Sequence, residues 1–207
     1  MRSKKELLKN WKLYAITDIK SAGGRPLTWI VEQAILGGAD AIQLRDKSAS
    51  DVELIRQAKE LLKVTRKYQV PLIINDRVAV AKDSGADGVH LGQDDSDLEE
   101  ARSLLGEAAI IGRSTHSPEQ ALLAEAQGFD YIGIGPVFET PTKPGLKPVG
   151  IDLVRFAASN IQIPFVAIGG IDETNVKRVR EAGAKTVAVV RAIMNAKNPK
   201  AAAKKLL

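Results

Sequence analysis

Gly128-Phe129-Asp130-Tyr131-Ile132-Gly133-Ile134-Gly135-Pro136 carries a stop signal at each end of an apolar run. A glycine stops the helical pattern before it, an apolar run of strand length follows, and Gly135-Pro136 ends that run. Beyond Pro136 comes a loop carrying Thr140, Thr142 and Lys143 among prolines and a glycine. Loops held by rigid strands are where binding groups concentrate; the alternative is an ordinary strand-to-helix connection with solvated polar residues. The opening of the unit recurs. Gly38-Ala39-Asp40, Gly85-Ala86-Asp87 and Gly183-Ala184-Lys185 each stand where a helical pattern gives way to an apolar run.

Working outward, strands are predicted at 13–17, 40–45, 71–75, 87–91, 108–112, 130–135, 164–168 and 186–190. Helical patterns alternate with them. A short basic amphipathic lead covers 4–12, and helices follow at 27–36, 77–84, 152–160 and 172–182, with a last one from Pro199. Ser50 is a candidate N-cap for a long helix to about Tyr68, with apolar positions at Val52, Ile55, Ala58, Leu61, Leu62 and Thr65. Ser96 is a candidate cap for a helix ending near Gly106, and Ser117-Pro118 opens another. Strict alternation of strand and helix calls for a parallel sheet covered on both faces. Eight units in 207 residues predict α/β architecture, a single (β/α)8 TIM barrel spanning 1–207 with a short N-terminal helix. A doubly wound open sheet is the alternative.

Hydrophobic content of 44% with 27% charge is globular. The net charge of +5 is scattered and suits an anionic substrate, while 4% aromatic content leaves little for stacking bases, so nucleic acid is not expected as a partner. The chain has no cysteine, which removes disulfides, thiolate catalysis and cysteine zinc sites. No apolar run approaches the roughly 20 residues that span a bilayer, and residues 1–8 lack a signal-peptide pattern. The expectation is a cytoplasmic protein without a membrane partner; a homodimer is compatible with the sequence.

In a barrel the site lies at the C-terminal strand ends, and here those ends are polar while the opposite ends are mostly Gly, Ala and Pro. Gln43, Arg45 and Lys47 alternate, so a strand reaching that far aims all three to one side, suiting a multiply charged anion. The alternative is a solvated Lys47 and an Arg45 ion-paired with a strand-end acid. Asp76 and Asp95 end adjacent strands and would repel without a cation between them; oxygen ligands suit Mg²⁺. Asp94 is the nearest substitute, Asn75 is a further candidate, and helix N-capping is the competing role for Asp76 and Asp95. Gly169-Gly170 and Val190-Arg191 stand where barrels build a phosphate site from backbone N–H groups, unless the glycines merely make a tight turn. Neither His90 nor His116 shows a partnered acid, so no nucleophilic triad is expected.

Residues 13–18, 43–47, 75–77, 88–95, 135–143 and 166–171, in this order, resemble the thiamine phosphate synthase family. The resemblance covers essentially the whole chain. It implies joining of hydroxymethylpyrimidine diphosphate to hydroxyethylthiazole phosphate, giving thiamine phosphate and pyrophosphate through a dissociative displacement. It implies Gln43, Arg45, Lys47, Asn75, Ser114 and Lys143 as holders of the pyrimidine diphosphate. Thr140, Pro141, Thr142, Gly170, Val190 and Arg191 would contact the thiazole phosphate, and Asp76 and Asp95 would ligate Mg²⁺. Position 191 is Arg where the family most often has Ser. Residues 112–117 and 138–140 also resemble the thiazole tautomerases, but that family carries a catalytic His where this chain has Pro136, and Lys47 and Asp95 favour the synthase. A non-catalytic thiamine-precursor-binding barrel would have lost the metal acids or diphosphate cations, and none is lost.

Overall fold

In a computed structural model describing residues 4–141, 145 and 147–207, eight parallel strands close into a barrel in sequence order. They are β1 (Leu13–Ile16), β2 (Ala41–Leu44), β3 (Leu72–Asn75), β4 (Gly88–Leu91), β5 (Ile110–Thr115), β6 (Tyr131–Ile134), β7 (Phe165–Ile168) and β8 (Thr186–Val189). Pairing of β8 with β1 completes the ring, so no open sheet edge remains. The helical cover begins with α1 (Lys4–Lys9), α2 (Ile19–Ala22), α3 (Leu27–Leu36), α4 (Asp51–Lys67) and α5 (Val78–Ser84). It continues with α6 (Leu98–Leu105), α7 (Pro118–Gln127), α8 (Gly150–Asn160), α9 (Val176–Glu181), α10 (Arg191–Met194) and α11 (Pro199–Lys204). Among the described residues no helix is long and apolar enough to cross a membrane.

Strand alternation sorts the apolar residues into two cores. Leu13, Ala15, Ile42, Leu44, Leu72 and Ile74 face outward into the layer shared with the helices. Tyr14, Ile16, Ala41, Ile73, Ile110, Tyr131, Val166 and Ala188 face inward and fill the barrel, with Leu8 and Trp11 packed against them. The inward face is apolar low in the barrel and polar at the upper strand ends, where Gln43, Asn75 and Ser114 stand.

The recurring glycine-aspartate unit has a structural meaning beyond the helix stop. Gly38, Gly85 and Gly128 carry positive φ, which L side chains rarely adopt. The aspartate two residues on then reaches back to the start of the preceding strand. Asp40 accepts from the amides of Lys12 and Leu13, Asp87 from Leu72, and Asp130 from Ile111. Asp130 also pairs with Arg102 at 2.6 Å, nearly buried. Each aspartate thus fastens its strand to its neighbour. Lys185 takes the fourth such position, where a carboxylate is lacking.

Several boundaries differ from the expected ones. β5 runs on to Thr115, past the expected stop at Gly112, because Arg113, Ser114 and Thr115 continue the ladder against Ile132, Gly133 and Ile134 of β6. Asp97, not Ser96, caps α6, accepting from the Glu100 amide at 2.8 Å, while the Ser96 carbonyl serves Arg113. The helix expected from 172 begins at Val176, since Asp172 turns its carboxylate to Thr174 in a local turn. In α4, Val52 is 79% exposed and Leu54 is buried instead. The one-turn helices α2 and α10 were not expected; four residues show no period.

Ser50 caps α4 as expected, its hydroxyl accepting from the Glu53 amide at 3.3 Å. Ser50→Ala is expected to cost about 1 kcal/mol, seen as a Tm lowered by about 2–4 °C in a thermal melt. An unchanged Tm would mean that water satisfies the amide equally well.

Candidate active site

At the C-terminal end of the barrel the strands frame a cavity of about 370 Å³. Its floor and sides include the inward residues Tyr14, Ile16, Gln43, Asn75, His90, Ser114 and Tyr131. Arg45 enters from just beyond β2. The opposite wall is Thr140, Pro141, Gly169, Gly170, Val190 and Arg191. Nine of the fourteen expected site residues therefore line one space: Gln43, Arg45, Asn75, Ser114, Thr140, Pro141, Gly170, Val190 and Arg191. Thr142 and Lys143 lie outside the described residues.

Lys47, Asp76 and Asp95 do not line the cavity but form a cluster immediately beside it. Asp76 follows Asn75, and its amide continues the β3–β4 ladder to the His90 carbonyl at 2.9 Å. The chain then turns sharply. Arg77 N–H donates to Asn75 O at 2.8 Å, and Asp76 sits at φ +64 at the centre of this γ-turn. Such a turn is strained for a residue with a side chain, and strain of this kind gathers at functional sites. It brings the Asp76 carboxyl within hydrogen-bonding reach of Asp95. Burial raises the pKa of Asp76 and the Asp95 charge raises it further, while Lys47, 3.4 Å away, offsets part of this.

The capping alternative does not describe these acids. Arg77 stands at the N-cap of α5 without a side-chain cap bond, and Asp97 caps α6. Asp95 instead accepts from the Gly92 amide at 2.6 Å, which fixes its turn. Asp94 is exposed, and it is Asp95 that meets Asp76. Two carboxyls pressed together with one lysine nearby fit a divalent cation of the Mg²⁺ type, which takes few protein ligands and fills its shell with water and phosphate oxygens. Among the described residues no group of three or more His, Cys, Asp and Glu side chains gathers to hold a metal, so a more demanding site is not offered.

The cations exchange the roles that the alternative reading gave them. Lys47 makes the ion pair with the strand-end acid, whereas Arg45 has no acid partner among the described residues, and its buried Nε lacks a hydrogen-bond acceptor. The Arg45 backbone is pinned: its amide donates to Thr17 Oγ1 at 2.9 Å, and the Thr17 amide donates to the Gln43 carbonyl. Thr17 is fully buried and is a supporting residue that its position at a strand end did not single out. Arg77 bonds Ala49 O and Asp51, bracing the loop that carries Lys47.

On the far wall, Gly169 and Gly170 both adopt positive φ. A Cβ at Gly170 would run into Glu139 O and Phe138 Cβ, so the turn is tight because it packs on the β6–α8 loop. Both roles of this glycine pair therefore coexist: the turn is structural and its surface lines the cavity.

Both histidines belong to the cavity wall. His90 lies between Val89 and Leu91, which face outward into the helix layer, so alternation turns it inward; that signal was present in the sequence. Its partners are Tyr131 and Ser114, each 2.9 Å away. His116 Nδ1 bonds the Gly135 carbonyl. Among the described residues no acid completes a triad with His116. Arg113, between two inward residues of β5, points outward and holds Gln93 O and Ser96 O.

The family model described as thiamine monophosphate synthase matches residues 13–193. A thiamine-phosphate synthase of Shouchella clausii is 46% identical over 97% of this chain and 96% of its own length. One from Synechocystis is 47% identical over 97% of this chain, which spans 57% of that longer protein. Among solved structures, a thiamine phosphate pyrophosphorylase from Pyrococcus furiosus superposes with a TM-score of 0.88 at 38% identity, over 97% of this chain and 95% of that one. The barrel, its cavity and these likenesses agree, and the chain belongs to the thiamine monophosphate synthase family.

Proposed function

We infer that this chain is a thiamine phosphate synthase, joining hydroxymethylpyrimidine diphosphate to hydroxyethylthiazole phosphate, or its carboxylated form, with release of pyrophosphate. The observation that carries the reading is the paired carboxyls of Asp76 and Asp95 at the edge of a cavity holding an unpartnered Arg45. A diphosphate with its metal answers both features.

In this reading Gln43 and Asn75 orient the pyrimidine, and the Arg45 fork grips diphosphate oxygens. Ser114 adds a hydrogen bond, and Lys47 lies close enough to share the charge. Lys143 is assigned to the same diphosphate by resemblance. The thiazole phosphate sits against Thr140, Pro141, the Gly170 and Val190 backbone and the Arg191 guanidinium, with Thr142 assigned by resemblance. Magnesium held by Asp76 and Asp95 would supply neutralisation of the diphosphate charge. The bond between the pyrimidine methylene carbon and the diphosphate oxygen breaks, its electron pair leaving with pyrophosphate. The positive charge spreads into the aminopyrimidine ring, and the thiazole nitrogen lone pair forms the new C–N bond. No protein nucleophile takes part. The residues act by positioning and by stabilising charge where it develops. Ile16, Pro136, Val166 and Ile168 give the wall apolar surface, and exclusion of water by bound substrates would strengthen each of these interactions.

The test is incubation of the purified protein with both substrates in magnesium buffer, with and without EDTA. Thiamine phosphate and pyrophosphate are expected in equal amounts, and EDTA is expected to abolish both. Absence of thiamine phosphate from the magnesium reaction overturns the reading. Arg191→Ser tests the far wall. The side chain is exposed at the cavity rim, so its loss is expected to raise the KM for thiazole phosphate about tenfold with kcat little changed, the mark of uniform binding. An unchanged KM would show the guanidinium turned away from the phosphate.

A further inference from the structure

A chain of polar groups runs through the barrel interior, and its middle members take no part in the mechanism above. Gln43 Nε2 donates to the Tyr14 hydroxyl at 2.8 Å. The Tyr14 and Tyr131 hydroxyls are 3.2 Å apart, and the Tyr131 hydroxyl is 2.9 Å from His90 Nδ1. His90 Nε2 is in turn 2.9 Å from Ser114 Oγ. The chain begins and ends on residues assigned to the pyrimidine diphosphate. Its two phenols, at the cavity floor, are essentially inaccessible to solvent, and His90 is half-buried. Burial also pushes both phenols far above their usual pKa, so each keeps its proton.

The direction of every link follows from its first member. An amide nitrogen only donates. Tyr14 therefore accepts from Gln43 and passes its own proton to the Tyr131 oxygen. Tyr131 passes its proton to His90 Nδ1, which leaves the neutral imidazole protonated at Nε2. That N–H donates to Ser114 Oγ, and the Ser114 proton is left to face the cavity. Reversal fails at Tyr14, whose oxygen would accept from both sides while its own proton was stranded in the core.

The strands make room for this arrangement. A Cβ on Gly112 would overlap the Tyr131 ring and crowd His90 Nδ1, and one on Gly133 would press on His90 Cε1 at 3.3 Å. Two inward positions on β5 and β6 thus lack side chains where the pair is seated.

We propose that Tyr14, Tyr131 and His90 are positioning residues that hold Gln43 with its carbonyl oxygen, and Ser114 with its hydroxyl proton, toward the substrate. This rests on the reading of the site as a pyrimidine diphosphate pocket. Ionisation of the substrate makes one end positive and the other negative. A one-way chain presents an acceptor at its Gln43 end, for the amino N–H of the pyrimidine cation. It presents a donor at its Ser114 end, for the departing diphosphate. The two ends match the two charges because the chain has a single direction.

Two measurements test this. The protein has two histidines, so nitrogen NMR of labelled protein resolves both rings. His90 is expected to be protonated at Nε2, and His116, whose Nδ1 meets the Gly135 carbonyl, at Nδ1. A His90 protonated at Nδ1 overturns the proposal. Single-turnover rates are then compared for Tyr131→Phe, Ser114→Ala and the double variant. Tyr131→Phe keeps the ring packing and is expected to slow the chemical step about 10–100-fold with substrate affinity little changed. The double variant is expected to lose clearly less than the product of the two single losses, because Tyr131 acts in part through Ser114. A full-rate Tyr131→Phe, or losses that multiply, also overturns it. A wild-type protein inactive on both substrates overturns the functional reading instead, and the His90 tautomer still decides the direction of the chain.

Discussion

Replacing Asp76 with asparagine is expected to slow thiamine phosphate formation by about 10²–10³-fold, the scale of losing a preorganised electrostatic group, while raising the Tm of the metal-free protein. The two effects share one cause. Asp76 is partly buried and faces Asp95, and burial and that second charge together hold its pKa above the ordinary carboxylate value. The folded chain retains a proton that the unfolded chain has lost at the same pH. Stability therefore falls as pH rises from the ordinary carboxylate value through the raised one. Asparagine is never charged and lacks this penalty, so its advantage opens over the same interval. It also suits the φ of +64, which asparagine tolerates far better than alanine, so backbone strain does not mask the result. Rate assays in magnesium and melts in EDTA are the measurements. A near-normal rate would show that the acid is structural, and a lowered metal-free Tm would show that the pair with Lys47 outweighs the repulsion.

The barrel was legible because its signals are local. The Gly-x-Asp recurrence at 38–40, 85–87 and 128–130 marks the same structural joint each time, a helix stop followed by an aspartate that binds the preceding strand. Inward placement of Gln43, Asn75 and Ser114 follows from period-two alternation, and the same rule places His90. What alternation cannot supply is geometry past a strand end. β2 stops at Leu44, so the different fates of Arg45 and Lys47 depend on loop contacts from Thr17, Arg77 and Asp76 across 28 or more residues of sequence. The γ-turn at Asp76 is likewise invisible, since nothing in Asn75-Asp76-Arg77 excludes the cap that such an acid usually makes. The Tyr14–Tyr131–His90 path needs the register of strands that are not neighbours in the sheet, and a single sequence carries no record of it.

Arg45→Lys is expected to lower kcat/KM for the pyrimidine diphosphate by about 10²-fold, although the formal charge is kept. Buried donors almost always find acceptors, and one without a partner costs stability, yet Arg45 Nε is buried without one. The surrounding structure does not relieve the cost; the Arg45 amide is fixed by Thr17, and the adjacent acid is taken by Lys47. A diphosphate reaching this side of the cavity would satisfy Nε and a terminal guanidinium nitrogen together, in the two-point grip that a lysine ammonium cannot reproduce. The lysine variant gives up that orphaned donor, so its substrate-free Tm is expected to equal or exceed that of the wild type. Loss of turnover without loss of stability is the pattern that separates a ligand-holding arginine from a structural one. Comparable falls in both would instead place Arg45 in the scaffold, and the wall it lines would need another group to bind the diphosphate.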